Sequence, residues 1–507
     1  MKETEEQTER GGLLAELAEW AAALRPDDLP PRVVELAQSQ VLSQLAAIRA
    51  GLAHPRGRDL VRAFGPPLQD DPARSACVLA GLGSWLNLDD TAYAGHLSNS
   101  TVSVPVAYAR ALGLSGAELV TAVIVANECA ARVTAASTLG PFRGQMAVQT
   151  SLVGAVSGRL HCQGAPAARW TDALGLALSM PPWTLHHAFL SSDARVLSVL
   201  APVRMSMDAC DAAAAGLRGA ADLLEHPGGF LSRFADVPLP DAVTCGLGRL
   251  WHTDTLSFKV RPAGPGIDAA VDCAVELHPA LRGVEPSQIS EIVVEASCYT
   301  AYVGRLAEKY AAGPGAPSST LPLSLRYTVA TALLSGDLTV ADYAPPAVRD
   351  ADRWALAEKV RLVHDPEMTR ELFRGEAPFG EAVRRAGPRG AEWLRAFGGE
   401  ELLDLLGRPG DPADDYAHAT KRTPARVTVQ LADGRTVMRE RTIPVGGAGP
   451  DTRARHRDLM RAKFLSTGGD VESAASFGEL FDMNAKELGH LLETAVGSVP
   501  EESETCQ

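Results

Sequence analysis

Within ten residues, the run Asn87-Leu88-Asp89-Asp90-Thr91 closed by His96 gathers two carboxylates, a hydroxyl and an imidazole. Groups of this kind converging on one pocket can take a proton from one atom of a substrate and return it to another. An imidazole, or a carboxylate tuned by its surroundings, exchanges protons near neutral pH. A long apolar helical segment follows, however, and Asp and Thr are favoured where the first amides of a helix lack partners. Spacing by itself favours this capping use of Asp89, Asp90 and Thr91.

Other chemistries find less support. The twelve histidines are scattered, without H-E-x-x-H or paired-cysteine spacing, and the adjacent His186-His187 diverge on a helix, so no metal site is expected. Gly81-Leu82-Gly83 lacks the strand, third glycine and acidic partner of a dinucleotide site and reads as close helix packing. Neither a P-loop nor a G-x-S-x-G elbow occurs. What remains is an acid–base site without metal or cofactor, assembled from separated segments.

The net charge of −14 argues against a nucleic-acid partner. It leaves room for a small anion, which a few Lys and Arg inside a pocket can hold. The eight cysteines form no C-x-x-C pair and lie mostly in apolar stretches, as reduced thiols do. The first ten residues, MKETEEQTER, are charged and lack an apolar core. No apolar run reaches the roughly 20 residues of a bilayer span. The expectation is a cytoplasmic protein with no membrane partner.

The elements that must position these groups are mostly helices. At 507 residues the chain exceeds what one core usually supports, so two domains are expected. From Leu13 to about Leu250 the apolar spacing is helical. Ser115-Gly116-Ala117-Glu118 is a capping box opening a helix to about Thr134 whose apolar faces make it central. Further helices are expected over about Val148–His161, Ala173–Met180 (led in by Thr171-Asp172) and Asp208–Leu224.

Past Thr255 the texture changes. Ile289–Ala296 and Ala425–Leu431 read as strands, the second entering a hairpin at Asp433-Gly434, with helices at about Gly266–Leu277 and Leu323–Leu334. Residues 370–420, rich in Gly, Pro, Arg and Asp, read as a long surface excursion with a short helical piece around Glu400–Leu406. Helical pattern returns at His456–Phe464 and Ala485–Ala495. The fold expected is mainly α with an α+β second domain: an all-helical body formed by both chain ends (12–255 and 446–499) around an inserted α+β lid (256–445).

Four segments, in order, resemble the MmgE/PrpD family of 2-methylcitrate dehydratases, which also includes cis-aconitate decarboxylase and iminodisuccinate epimerase. They are Trp85–Thr91 with His96 and Val104-Pro105, Gly113–Leu119 with Glu128–Arg132, Phe258–Pro262 with Gly266–Ala269, and Ser324–Tyr327 with Ala332–Gly336. The resemblance spans roughly residues 13–465. It implies a helical domain with an α+β lid, a site between them that uses no cofactor, and a homodimer. It also implies chemistry in which a proton is moved beside a carboxylate before water or carbon dioxide leaves or a centre inverts.

Carried over by position, the resemblance makes His96, or else an Asp89 or Asp90 carboxylate, the general acid/base. Asp90 and Thr91 become holders of a base or substrate hydroxyl, Lys259 a counter-charge, and Tyr327 a proton or hydrogen-bond donor. Asn87, Asp89, Thr91, Arg143, Arg195 and Arg261 fall on the substrate-binding side. The departures are specific. The first Asp of the block is Asn87, which cannot ionise. The histidine expected after Lys259 is replaced by Ala263-Gly264-Pro265, opening space for a larger substrate. An expected lysine is Arg195, which binds carboxylates but makes a poor base. Another expected histidine falls on Arg143, and the spacing from His96 to Val104-Pro105 is longer than the family's.

Two readings follow. In the first, the chain is a cofactor-independent lyase or isomerase of this type: a dehydratase, decarboxylase or isomerase of specialised metabolism acting on a carboxylate or carbonyl compound. In the second, the fold persists without catalysis and serves binding. Geometry separates them, because an enzyme needs His96, Asp90, Lys259 and Tyr327 about one cleft.

Overall fold

In the computed structural model, residues 12–92, 95–141 and 148–497 are described. The helical body is built on α1 (Pro31–Ala53), α2 (Pro72–Ser84), α3 (Gly116–Ser137), α4 (Val148–Cys162) and α5 (Ala194–Ala214). Ser115 and Glu118 cap α3 reciprocally, Ser115 N donating to the Glu118 carboxylate at 2.7 Å and Glu118 N to Ser115 Oγ at 3.3 Å. Long and apolar enough to cross a membrane, α3 is instead the buried core helix of the body, packed on α4.

Inside the body, a two-residue strand β1 (Asp90–Thr91) pairs antiparallel with β2 (Ser257–Phe258). The α+β unit carries a sheet in the order β4-β3-β5-β6, formed by β3 (Ile289–Ala296), β4 (Val360–His364), β5 (Ala425–Leu431) and β6 (Thr436–Arg441). β3 runs parallel to β4 and antiparallel to β5, and β5–β6 is the hairpin expected at Asp433-Gly434. Helices α6 (Asp268–Leu277) and α7 (Leu325–Ser335) pack on one another, and α6 lies against β5 and β6. A further helix, α8 (Gly390–Leu406), breaks at Gly399, and α9 (Pro450–Ser466) then returns to lie along α1. The fold is therefore mainly α with an α+β second unit, and both chain ends build the body.

Three expectations change. The helix placed at Ala173–Met180 spans Ala167–Ala177, so Thr171 and Asp172 lie inside it rather than cap it. Asp172 instead accepts Gly219 N at 3.2 Å. The helix placed at Asp208–Leu224 is α5, which begins at Ala194 and ends at Ala214; it runs through Pro202, a residue that reads as a breaker in sequence. Residues 370–420 are not a bare excursion: Pro366–Arg374, Gly380–Ala386 and α8 are helical there. Trp393 is buried, its indole N–H reaches Gly140 O at 3.2 Å, and its ring stacks 5.1 Å from Phe397 and lies 5.4 Å from Phe379. Aromatic burial, which Gly and Pro content masks, anchors this stretch.

Candidate active site

Backbone pairing brings the two candidate segments together before any side chain acts. Asp90 sits opposite Phe258 and Thr91 opposite Ser257, and Lys259 N donates to Asp89 O at 3.3 Å. On its other side, Phe258 N donates to Gly446 O at 2.7 Å. Gly446 has φ +81°, and a Cβ there would stand 2.1 Å from Phe258 O, so this approach needs glycine. Three distant stretches of chain thus meet at one point.

The side chains above this junction form one cluster. His96 Nδ1 lies 2.7 Å from Asp89 Oδ2, which also accepts Asn99 Nδ2 at 2.5 Å. Lys259 Nζ stands 3.6 Å from the other oxygen, Asp89 Oδ1. Asn99 is held in turn by Gln44 Nε2 at 3.2 Å, and Gln44 Oε1 accepts Ser98 Oγ at 2.7 Å. Asp90 Oδ1 accepts Ser98 N at 2.9 Å at the start of a short helix. The capping reading therefore holds for Asp90 and fails for Asp89. Among the described residues, Asp90 Oδ2, Thr91 Oγ1, Asp89 Oδ1 and Lys259 Nζ are buried with no hydrogen-bond partner. Of these, Asp89 Oδ1 and Lys259 Nζ face each other as an ion pair, which leaves Asp90 Oδ2 and Thr91 Oγ1 as the buried polar atoms of the cluster still to be satisfied.

Electrostatics sorts the cluster's protons. Burial alone would raise Asp89, but His96, Lys259 and Lys463 outweigh it and hold the carboxylate well below its usual range. Burial lowers His96, against the opposing pull of Asp89, so the ring is neutral. With Asp89 anionic, Nδ1 is the donor to it and Nε2 keeps a lone pair for a substrate proton. Burial, reinforced by Asp89, pushes Asp90 up to about 6. Burial brings Lys259 down to about 8 against the pull of Asp89.

Sequence reasoning missed Lys463. It comes from α9, fully buried, and its ammonium bonds Ser43 Oγ at 2.8 Å and the Leu88 carbonyl. Burial lowers it to about 7. The signal was legible: Lys463 shares the buried stripe of α9 with His456, Met460 and Phe464, where a lone lysine is out of place. Ser43 and Gln44 likewise interrupt the apolar stripe of α1.

The remaining candidates are placed as follows. Arg195 is buried, with Nη1 donating to Ser319 O at 2.5 Å, its guanidinium 4.8 Å over the Phe189 ring, and Nε unpartnered. Burial lowers Arg195 to about 10, while Asp89 pulls the other way. Asn87 is buried with φ 54°, a left-handed position that Asn tolerates. Arg261 is engaged elsewhere, with Asp337 at 2.6 Å and Asp272 at 2.7 Å. Tyr327 is not drawn into the cluster: its hydroxyl donates to the Asp342 carbonyl and its ring packs 5.1 Å from Trp354, so the one-cleft criterion for an enzyme is met by His96, Asp90 and Lys259 and fails for Tyr327. Arg143 lies outside the described residues. Gly264 leaves no vacant space, since a Cβ there would meet Leu323 Cδ2 at 2.4 Å. The expected room for a larger substrate is therefore already filled by Leu323.

Family comparison matches two stretches of the chain. The MmgE/PrpD N-terminal domain matches residues 15–241 and the MmgE/PrpD C-terminal domain residues 262–387, so α8 and all beyond it lie outside both matches. Cis-aconitate decarboxylase of Aspergillus terreus (strain NIH 2624 / FGSC A1156) is 23% identical over 415 residues, 73% of this chain and 82% of the relative. The cis-aconitate decarboxylase-like protein oryM of Aspergillus oryzae (strain ATCC 42149 / RIB 40) is 23% identical over 411 residues, 71% of this chain and 82% of the relative.

Proposed function

Because this chain belongs to the MmgE/PrpD family, we propose that it is a cofactor-independent lyase acting by proton transfer beside a carboxylate, on a small carboxylate or carbonyl substrate of specialised metabolism. The observation that carries the reading is the Asp89–His96 pair at 2.7 Å with Lys259 on the opposite carboxylate oxygen. His96 Nε2 takes a proton from the carbon next to the substrate carboxylate, and the electron pair is spread into that carboxylate. Lys259, with Arg195 behind it, offsets the charge that develops. The protonated His96 then returns its proton to a leaving hydroxide, releasing water. In decarboxylation the C–C bond electrons pass to carbon as carbon dioxide leaves, and His96 delivers to that carbon a proton that Nε2 has first taken up from solvent. Isomerisation needs only the first transfer and its return on another face.

The test follows solvent deuterium into cis-aconitate, citrate and 2-methylcitrate by proton NMR, with carbon dioxide release read in parallel. The expected result is exchange or product with one of the three acids that His96→Ala lowers by about 100-fold or more. Undiminished turnover in His96→Ala would remove the imidazole from the mechanism. Binding of an acid by calorimetry without any exchange would favour the second reading, a family member retained for binding, to which the absent imidazole at Gly264 already lends support.

A further inference from the structure

Lys463 has no place in the chemistry just described, yet it lies beneath it. A lysine on the buried stripe of a helix with Met460 and Phe464 gives up its hydration, a loss that only hydrogen-bond or charge partners inside the fold can offset. Its two direct partners are Ser43 Oγ, from α1, and the carbonyl of Leu88, the residue before Asp89. That carbonyl belongs to the peptide plane that carries the Asp89 amide, so holding it fixes the direction in which Asp89 leaves the backbone. Both Asp89 and Asp90 also act on the ammonium through space, while among the described residues neither carboxylate lies in salt-bridge contact with it.

We propose that Lys463 is a positioning residue for the acid–base pair: by clamping the Leu88 carbonyl from α9, it aims the Asp89 carboxylate at His96. α9 thereby becomes part of the site although it supplies no group to the substrate. That the Asp89–His96 pair is catalytic rests on the lyase reading above. The clamp itself concerns only which ring nitrogen of His96 carries the proton, so it can be tested without any substrate.

Neutral imidazole in water favours the proton on Nε2, and Asp89 imposes it on Nδ1. Nitrogen chemical shifts of 15N-labelled histidine distinguish the two forms, and His96 is assigned by its loss in His96→Gln. The other charged groups acting on the ring, Asp89, Lys259 and Arg195, are kept. In folded Lys463→Met the ratio of Nδ1–H to Nε2–H should fall about tenfold or more, as loss of one well-aimed hydrogen bond requires. An unchanged ratio would overturn the proposal and leave Lys463 as packing alone. If Lys463→Met does not fold, Ser43→Ala releases one of the two anchors and should shift the ratio the same way by a smaller factor. No shift in that variant would overturn the proposal equally.

Discussion

In the proposed reaction His96 and Asp89 divide one task, the first exchanging the proton and the second holding the ring. Asp89→Asn keeps the shape but removes the charge that selects the Nδ1–H form, so kcat should fall by about 100-fold or more with KM little changed, read from steady-state kinetics on whichever acid is turned over. Gly264→His should not recreate a second imidazole. With Leu323 Cδ2 only 2.4 Å from the new Cβ, it should cost about 1–3 kcal/mol in urea unfolding and leave turnover no higher. Asp90 makes a pH prediction. Its folded pKa of about 6 lies above the unfolded value, so the folded state binds the extra proton between the two. Its contribution is therefore present at about pH 4 and lost as pH rises through about 6. Asp90→Asn should lose no such increment, so its stability relative to the parent should improve over that window, by at most about 3 kcal/mol. A constant difference between the two would show that Asp90 titrates normally.

Among the elements, the shortest strands matter most. β1 and β2 are two residues each, too short to be stable alone, and they persist because Gly446 backs β2 and Asp89 O accepts Lys259 N. Gly446→Ala puts a methyl 2.1 Å from Phe258 O and an L-residue at φ +81°. Stability should fall by about 2 kcal/mol or more, and turnover should fall with it as Lys259 moves away from Asp89. A variant with parent-like urea midpoint and activity would show that the junction tolerates a side chain. The longer elements were legible from periodicity: β3 and β5 have the bounds expected, and the capping box opens α3 as expected. The polar interruptions at Lys463 on α9 and Ser43 and Gln44 on α1 were visible too. Periodicity says only that they are buried, and not what they face.

In the whole molecule, α8 ties the α+β unit to the body through Trp393 and Gly140, two positions far apart in sequence. Trp393→Ala should cost about 3–5 kcal/mol in chemical unfolding and loosen the packing of Phe397, on which it stacks, and of Phe379, against which it tilts. A loss below about 1 kcal/mol would mean that α8 is carried passively. Composition, helical and strand periods, capping signals and the order of four motifs determined the class of fold, the family and the presence of an acid–base block, because each of these is written in residues near one another in the chain. Only the tertiary structure decided which carboxylate meets His96 and that Lys463, from α9, bonds the Leu88 carbonyl beside that carboxylate. It also decided that Tyr327 and Arg261 spend their polar groups elsewhere, and that Leu323 fills the space beside Gly264. Those outcomes depend on which distant segments share one small volume, and a one-dimensional pattern carries burial and spacing without carrying the partner.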